Sequence, residues 1–195
     1  MMGRTIFSIV IFCFLVISCK SDTKEESTSA IQQKIFQLQN QGWKSKTVSH
    51  FVGDITYSAT EVPKEYYFLK QGLSLDSISK LSSQFSKERI IEVEFEHVNE
   101  VDLLLKEFTK LDYEKSVMYM SSGIQNDFFV VTQGKDTIPS IGVHFERHYK
   151  VSPFQRVLIY FTGVPENAPI QLIYRDRLFN NGNFKFKFED VPLKL

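Results

Sequence analysis

The strongest constraint on the fold lies near the C-terminus, where residues 170–179 and 184–188 flank Asn180-Asn181-Gly182-Asn183. Asn-Gly between two alternating runs is the strongest short-range signal for a β-hairpin, because both residues tolerate positive φ. In the second arm Phe184, Phe186 and Phe188 fall on one side, while Lys185, Lys187 and Glu189 fall on the other. That is the period of a strand with one face in a core. Further strands are expected over residues 127–132 and 137–149, with a turn at Gly134-Lys135-Asp136 and an edge or bend near Pro139. Residues 154–161 are apolar on both faces. Five strands joined by short turns predict an antiparallel sheet or sandwich in the C-terminal third.

Upstream the period changes. Ile31, Ile35 and Leu38 sit at helical spacing, with Ser29 as a cap and Gly42 past the end. Leu75, Ile78, Leu81 and Phe85 repeat the pattern, and Val101, Leu104, Phe108 and Leu111 do so again behind Asn99 and Asp102. Between them residues 89–97 alternate strictly, with Ile91, Val93 and Phe95 opposite Glu92, Glu94 and Glu96. Residues 47–59 also alternate, and Gly53-Asp54 makes them a bent strand or a hairpin. The short apolar run at residues 66–69 suits a strand or a turn of helix equally. The expected fold class is α+β, with amphipathic helices in the first two thirds.

The N-terminus is organised differently. A basic start at Arg4 precedes a nearly unbroken apolar block over residues 6–18, and then the composition turns polar. That is the layout of a secretory signal. Thirteen residues fall short of the roughly 20 that a membrane-spanning helix needs. The block ends in Val16-Ile17-Ser18-Cys19, which resembles the lipobox of bacterial lipoproteins, although that family more often has leucine where Val16 stands. The resemblance covers about the first tenth of the chain. It implies cleavage before Cys19, a diacylglycerol on its thiol and acylation of the new amino terminus, with the protein held in the cell envelope and the outer membrane favoured. Two or three acyl chains, at about 0.8 kcal/mol per buried methylene, make a lasting anchor. The remaining cysteine, Cys13, lies inside the apolar block, so Cys19 has no partner for a disulfide in the mature chain.

The expected organisation is therefore a signal peptide at residues 1–18, a lipidated cysteine and flexible tether at 19–29, and one α+β domain at 30–195. The tether, KSDTKEESTS, has no apolar residue to offset its ordering entropy. Its Asp22, Glu25 and Glu26 resemble acidic sorting signals of surface lipoproteins, and equally suit a solvated spacer. Removing Arg4 with the signal leaves 22 basic against 23 acidic residues, so no field recommends nucleic acid as a partner. After Cys19 the 15 Phe, 8 Tyr and one Trp supply ample apolar surface for a core without disulfides.

Candidate chemistry is sparse. His144, Glu146 and His148 share one face of a strand, and two His with one Glu form a known zinc set. Residues four apart in a strand stand about 13 Å apart, however, so the three cannot converge on one ion without help from His50 or His97. The reading is a polar face, with no metal and no cofactor. The Glu92, Glu94, Glu96 row, lengthened by Glu88 and Glu100, could meet calcium or a basic partner, but its spacing of about 7 Å suits a solvated face. Arg175, Arg177, Lys185 and Lys187 are expected as neighbours across the last hairpin, a basic strip able to touch lipid phosphates or an acidic partner, or to protect an edge.

The chain has no Gly-x-Ser-x-Gly elbow, Ser-x-x-Lys, His-Glu-x-x-His or glycine-rich phosphate loop. Two classes of function remain. The favoured one is a membrane-anchored envelope lipoprotein with a non-catalytic role, as an accessory or inhibitor that binds another envelope protein. The alternative is a lipid-tethered hydrolase acting on glycan or peptide outside the cytoplasm.

Overall fold

The computed structural model describes residues 22–40, 42, 46–133, 136–148, 152–165 and 168–189. Cys19, and Gly134 and Lys135 of the expected turn, lie outside them. The described helices are α1 (Asp22–Asn40), α2 (Lys64–Lys70), α3 (Leu75–Gln84), α4 (Lys106–Thr109) and α5 (Tyr113–Ser121), with a 3-10 turn at Gly123–Asp127. The strands are β1 (Val48–Val52), β2 (Ile55–Val62), β3 (Arg89–His97), β4 (Phe128–Thr132), β5 (Thr137–Pro139), β6 (Gly142–Glu146), β7 (Phe154–Phe161), β8 (Ile170–Asp176) and β9 (Gly182–Phe188). Among the described residues no helix is long and apolar enough to cross a membrane.

Two antiparallel sheets form, in the orders β1-β2-β3-β7-β6 and β5-β4-β8-β9. The α+β class and the antiparallel pairing are as read, but strands are not confined to the C-terminal third: β1, β2 and β3 build most of the larger sheet. The inner faces pack on each other, Tyr57, Ile91, Val93, Phe95, Val157 and Ile159 from one sheet meeting Phe128, Val130, Leu172, Tyr174, Phe184 and Phe186 from the other. All are nearly inaccessible to water, so apolar burial is what holds the sandwich together.

The expected strand over residues 137–149 divides because the chain changes sheets. Ser140 N–H donates to Phe128 O in the smaller sheet at 3.2 Å, and Ile141 N–H donates to Tyr160 O in the larger at 2.9 Å. Pro139 lacks the donor needed to continue the ladder, which places the corner there. At the opposite side His50 of β1 bonds the Lys185 carbonyl of β9 at 3.0 Å, with Nε2 as the donor, and its ring packs on Phe184 and Phe186.

The helices form a third layer. α2 lays Tyr66 and Tyr67 over Val62, Ile90, Leu158 and Tyr160 on the outer face of the larger sheet. Ile31 and Ile35 of α1 pack with Leu69 and Ile78 of α2 and α3. α1 begins at Asp22, so it overlaps the stretch 19–29 expected as a tether. Gly42, with φ 74°, follows the helix as expected.

The structure corrects the reading of residues 101–111, expected as one helix. Only α4 forms there, and Lys110 at φ 62° ends it. Leu103 and Leu104 are adjacent in sequence yet both fully buried, which a single helical stripe cannot achieve. Asp112 then starts α5 by accepting from Lys115 N–H at 2.9 Å. With Met120 and Ile124, the two leucines close one end of the sandwich.

Candidate functional site

The outer face of the larger sheet holds the densest set of ionisable side chains, and strand register orders them in rows. The first row crosses Phe51, Thr56, Glu96 and Phe154. The second crosses Ser49, Ser58, Glu94, Arg156 and Glu146, and the third crosses Thr60, Glu92, Leu158 and His144. A fourth row, Val62, Ile90, Tyr160 and Gly142, is the one that α2 covers. Hydroxyl pairs tie β1 to β2 within this face, Ser49 to Ser58 at 2.8 Å and Thr47 to Thr60 at 2.7 Å.

Arg156 organises the acids. Its guanidinium meets Glu94 at 2.5 Å, Glu146 at 3.0 Å and Glu92 at 3.5 Å, and lies 4.7 Å from the centre of the Phe154 ring. Burial alone would lower the Arg156 pKa, but Glu92, Glu94 and Glu146 outweigh it and raise the value. The glutamate row is therefore not merely a solvated face: Glu92 is buried and Glu94 half-buried, because β3 is an interior strand and its acids lean on a cation from β7. Four glutamates against one arginine still leave this face negative.

His144 is exposed, and Glu146 spends its charge on Arg156. His148 Nε2 stands 4.0 Å from Glu146 and its ring packs edge-on against Phe154. Among the described residues no three His, Cys, Asp or Glu side chains are grouped to hold a metal ion. His50 and His97 are elsewhere: the first bonds Lys185, and the second is buried with Nδ1 accepting from Asn99 N–H at 3.1 Å.

The expected basic strip is brought together except for Arg177. Lys185 pairs with Ile173 and Lys187 with Gln171 across β8 and β9, with Arg175 diagonal to them on the outer face of the smaller sheet. Arg177 lies past the end of β8, and its Nε is 3.2 Å from Asp127.

Two buried carboxylates escaped the sequence reading. Asp176 accepts from Tyr57 OH at 2.9 Å, Tyr174 OH at 3.1 Å, and the N–H groups of Leu178, Phe179 and Asn181 at 3.1, 2.9 and 3.1 Å. Asn181 Nδ2 donates in turn to Tyr57 OH at 2.6 Å. The cluster staples the β8–β9 turn to β2, and burial above all raises the pKa of Tyr57 and Tyr174. Asp127, 1% exposed, accepts from Tyr119 OH as well as meeting Arg177. Burial first, and then Asp176, push it up to about 6 against the pull of Arg177 and Arg175. Tyr57 and Asp176 are 119 residues apart, so no sequence spacing announced them. Arg156 did leave a trace: it is the one charge in β7, whose other residues are apolar or aromatic apart from Gln155.

Exposed apolar side chains gather beside the first row. Phe51 is 73% exposed at the tip of the β1–β2 hairpin, and the next residue, Val52, alternates to the opposite face. Val98, 62% exposed, joins the tip through its N–H, which donates to Asp54 O at 2.9 Å. Comparison with family models, with curated proteins and with solved structures gives no match.

Proposed function

We propose that the chain is a membrane-anchored lipoprotein of the bacterial envelope, favouring the outer membrane, with Cys19 as its lipidated residue and a folded domain that binds another envelope protein without catalysis. The observation that carries the binding role is the outer face of the larger sheet near the β1–β2 tip. There an exposed aromatic, Phe51, and the apolar Val98 border a negative polar face around Glu96, Glu94 and Arg156. Interfaces commonly combine a few aromatic and aliphatic anchors with a polar rim.

The same geometry weighs against the hydrolase reading. A hydrolytic carboxylate pair needs one free acid and one free base, whereas Glu92, Glu94 and Glu146 turn to a single guanidinium. Asp127 has a raised pKa, but it is sealed between α5 and Arg177 rather than aimed into a cleft.

The test is crosslinked co-purification of the protein from its native envelope, with Cys19→Ala and Phe51→Asp as comparisons. A stoichiometric partner that is lost with Phe51→Asp supports the interface, and failure of Cys19→Ala to fractionate with membranes supports the anchor. A partner retained by Phe51→Asp would move the interface elsewhere. Membrane association that survives Cys19→Ala would overturn the lipid anchor.

A further inference from the structure

The other broad face of the sandwich carries the opposite charge. On the outer side of the smaller sheet, Phe129 and Val131 of β4 lie beside Ile173 of β8, all half-buried. Around them Arg175, Lys185 and Lys187 are exposed, and the helices that cover the larger sheet leave this face to solvent. The Arg175 guanidinium lies over the Phe129 ring, 4.7 Å from its centre, so it is held against the sheet. The four strands place no carboxylate on this side, where Thr137, Pro139, Gln171 and Asn183 complete it. Glu189 follows the end of β9, and Asp127 beyond the end of β8 answers Arg177. Next to Lys187 the face sinks into an open depression of about 460 Å³ bordered by Val131, Gln171, Phe188 and the carboxylate of Glu189.

Resting on the lipoprotein reading above, we infer that this face docks on the anionic phosphate headgroups of the membrane that holds the anchor, and so fixes which way the domain points. Three exposed cations against Glu189 at the end of β9 leave a net positive surface suited to phosphate among the described residues, and a flat sheet face presents them together. The half-buried Phe129, Val131 and Ile173 give the patch an apolar floor at headgroup depth. Each cation near an anionic leaflet contributes about fivefold in binding, so three contribute on the order of a hundredfold at moderate salt. With the anchor already present, that preference sets orientation rather than attachment.

The experiment uses intact protein purified from membranes and reconstituted on two kinds of vesicle, phosphatidylcholine alone and phosphatidylcholine with phosphatidylglycerol. An amine-acylating reagent is applied and the labelling of Lys185 and Lys187 is compared with that of Lys80, exposed on α3 of the helical layer. On anionic vesicles the ratio falls by at least about tenfold, recovers in high salt, and does not fall on phosphatidylcholine. The combined Arg175→Gln, Lys185→Gln and Lys187→Gln variant, with an unchanged circular dichroism spectrum, loses the protection of residues 182–188 from hydrogen exchange. Vesicle-bound protein with equal labelling on both lipids overturns the docking while leaving the anchor intact. Protection by inorganic phosphate without vesicles overturns it in favour of an isolated phosphate site. Protection in native envelopes but not on anionic vesicles overturns it in favour of an acidic protein. Protein that sediments with neither vesicle refutes the anchor and the docking together.

Discussion

Acidification from neutral pH should stabilise this domain through Asp127, against the usual direction for a carboxylate. Its side chain is almost fully buried, and burial pushes its pKa up to about 6, despite Arg177 at 3.2 Å. In the unfolded chain an aspartate titrates near 3.9. A folded value above the unfolded one means that the native state holds the proton more tightly. The ionised form therefore costs stability above pH 6, and the cost disappears as pH falls towards 4. At about 1.4 kcal/mol per pH unit, the interval amounts to about 3 kcal/mol. The assay is urea denaturation at half-unit steps from pH 4.5 to 7.5, on the natural protein and on Asp127→Asn. Asparagine keeps an acceptor for Tyr119 OH and removes the titration. Every other ionisable group is common to both proteins, so the difference between the two curves isolates Asp127. At pH 7.5 the variant is expected to equal or exceed the natural protein, with its advantage shrinking as pH falls. A difference that stays constant with pH would refute the reasoning, as would a natural protein whose relative stability rises with pH.

Two further substitutions probe the ends of the sandwich. Arg89, with its side chain 2% exposed, pairs with Glu61 at 2.8 Å and donates to Pro165 O and Ala168 O at 2.6 and 2.7 Å; Arg89→Met strands a buried Glu61, whose pKa burial already raises, and should cost about 3–5 kcal/mol in urea denaturation. Tyr57→Phe removes a hydroxyl that donates to Asp176 and accepts from Asn181, for an expected loss of about 1.5–3 kcal/mol, and faster hydrogen exchange at Asn181 N–H would place the effect at the β8–β9 turn rather than in the core.

What the sequence made legible was whatever local period and turn chemistry decide. β3 runs over residues 89–97 as read, α3 forms over the spacing of Leu75, Ile78 and Leu81, and β9 buries its three phenylalanines. The turn before β9 does need positive φ, but at Asn180 (60°) and Gly182 (93°), with Asn181 held instead by Asp176. Tertiary placement decided the rest. Residues 137–146 carry one strand-like pattern, and nothing local says that Ser140 and Ile141 bond to different sheets. The glutamates of β3 alternate like a solvated face, and only the arrival of Arg156 from β7 turns them into an ion cluster. Residues 101–111 have helical spacing, yet burying Leu103 and Leu104 together was worth more than continuing the helix.

The two outer faces of the sandwich complete one argument about use. Stacked sheets lie about 10 Å apart, so the negative face with Glu94, Glu96 and Arg156 and the cationic face with Arg175, Lys185 and Lys187 point in opposite directions with the core between them. A domain lying with its cations on a phosphate surface would turn Phe51 and the glutamate rows away from that surface, where another protein could reach them. Neither contact would need the other to dissociate, and neither would draw on the buried groups, since Asp176, Asp127 and Arg89 are all spent on turns and loop closure inside the fold. On the proposed reading, charge separated onto opposite faces lets the domain make two contacts at once, while the buried polar groups hold the turns that keep those faces in place.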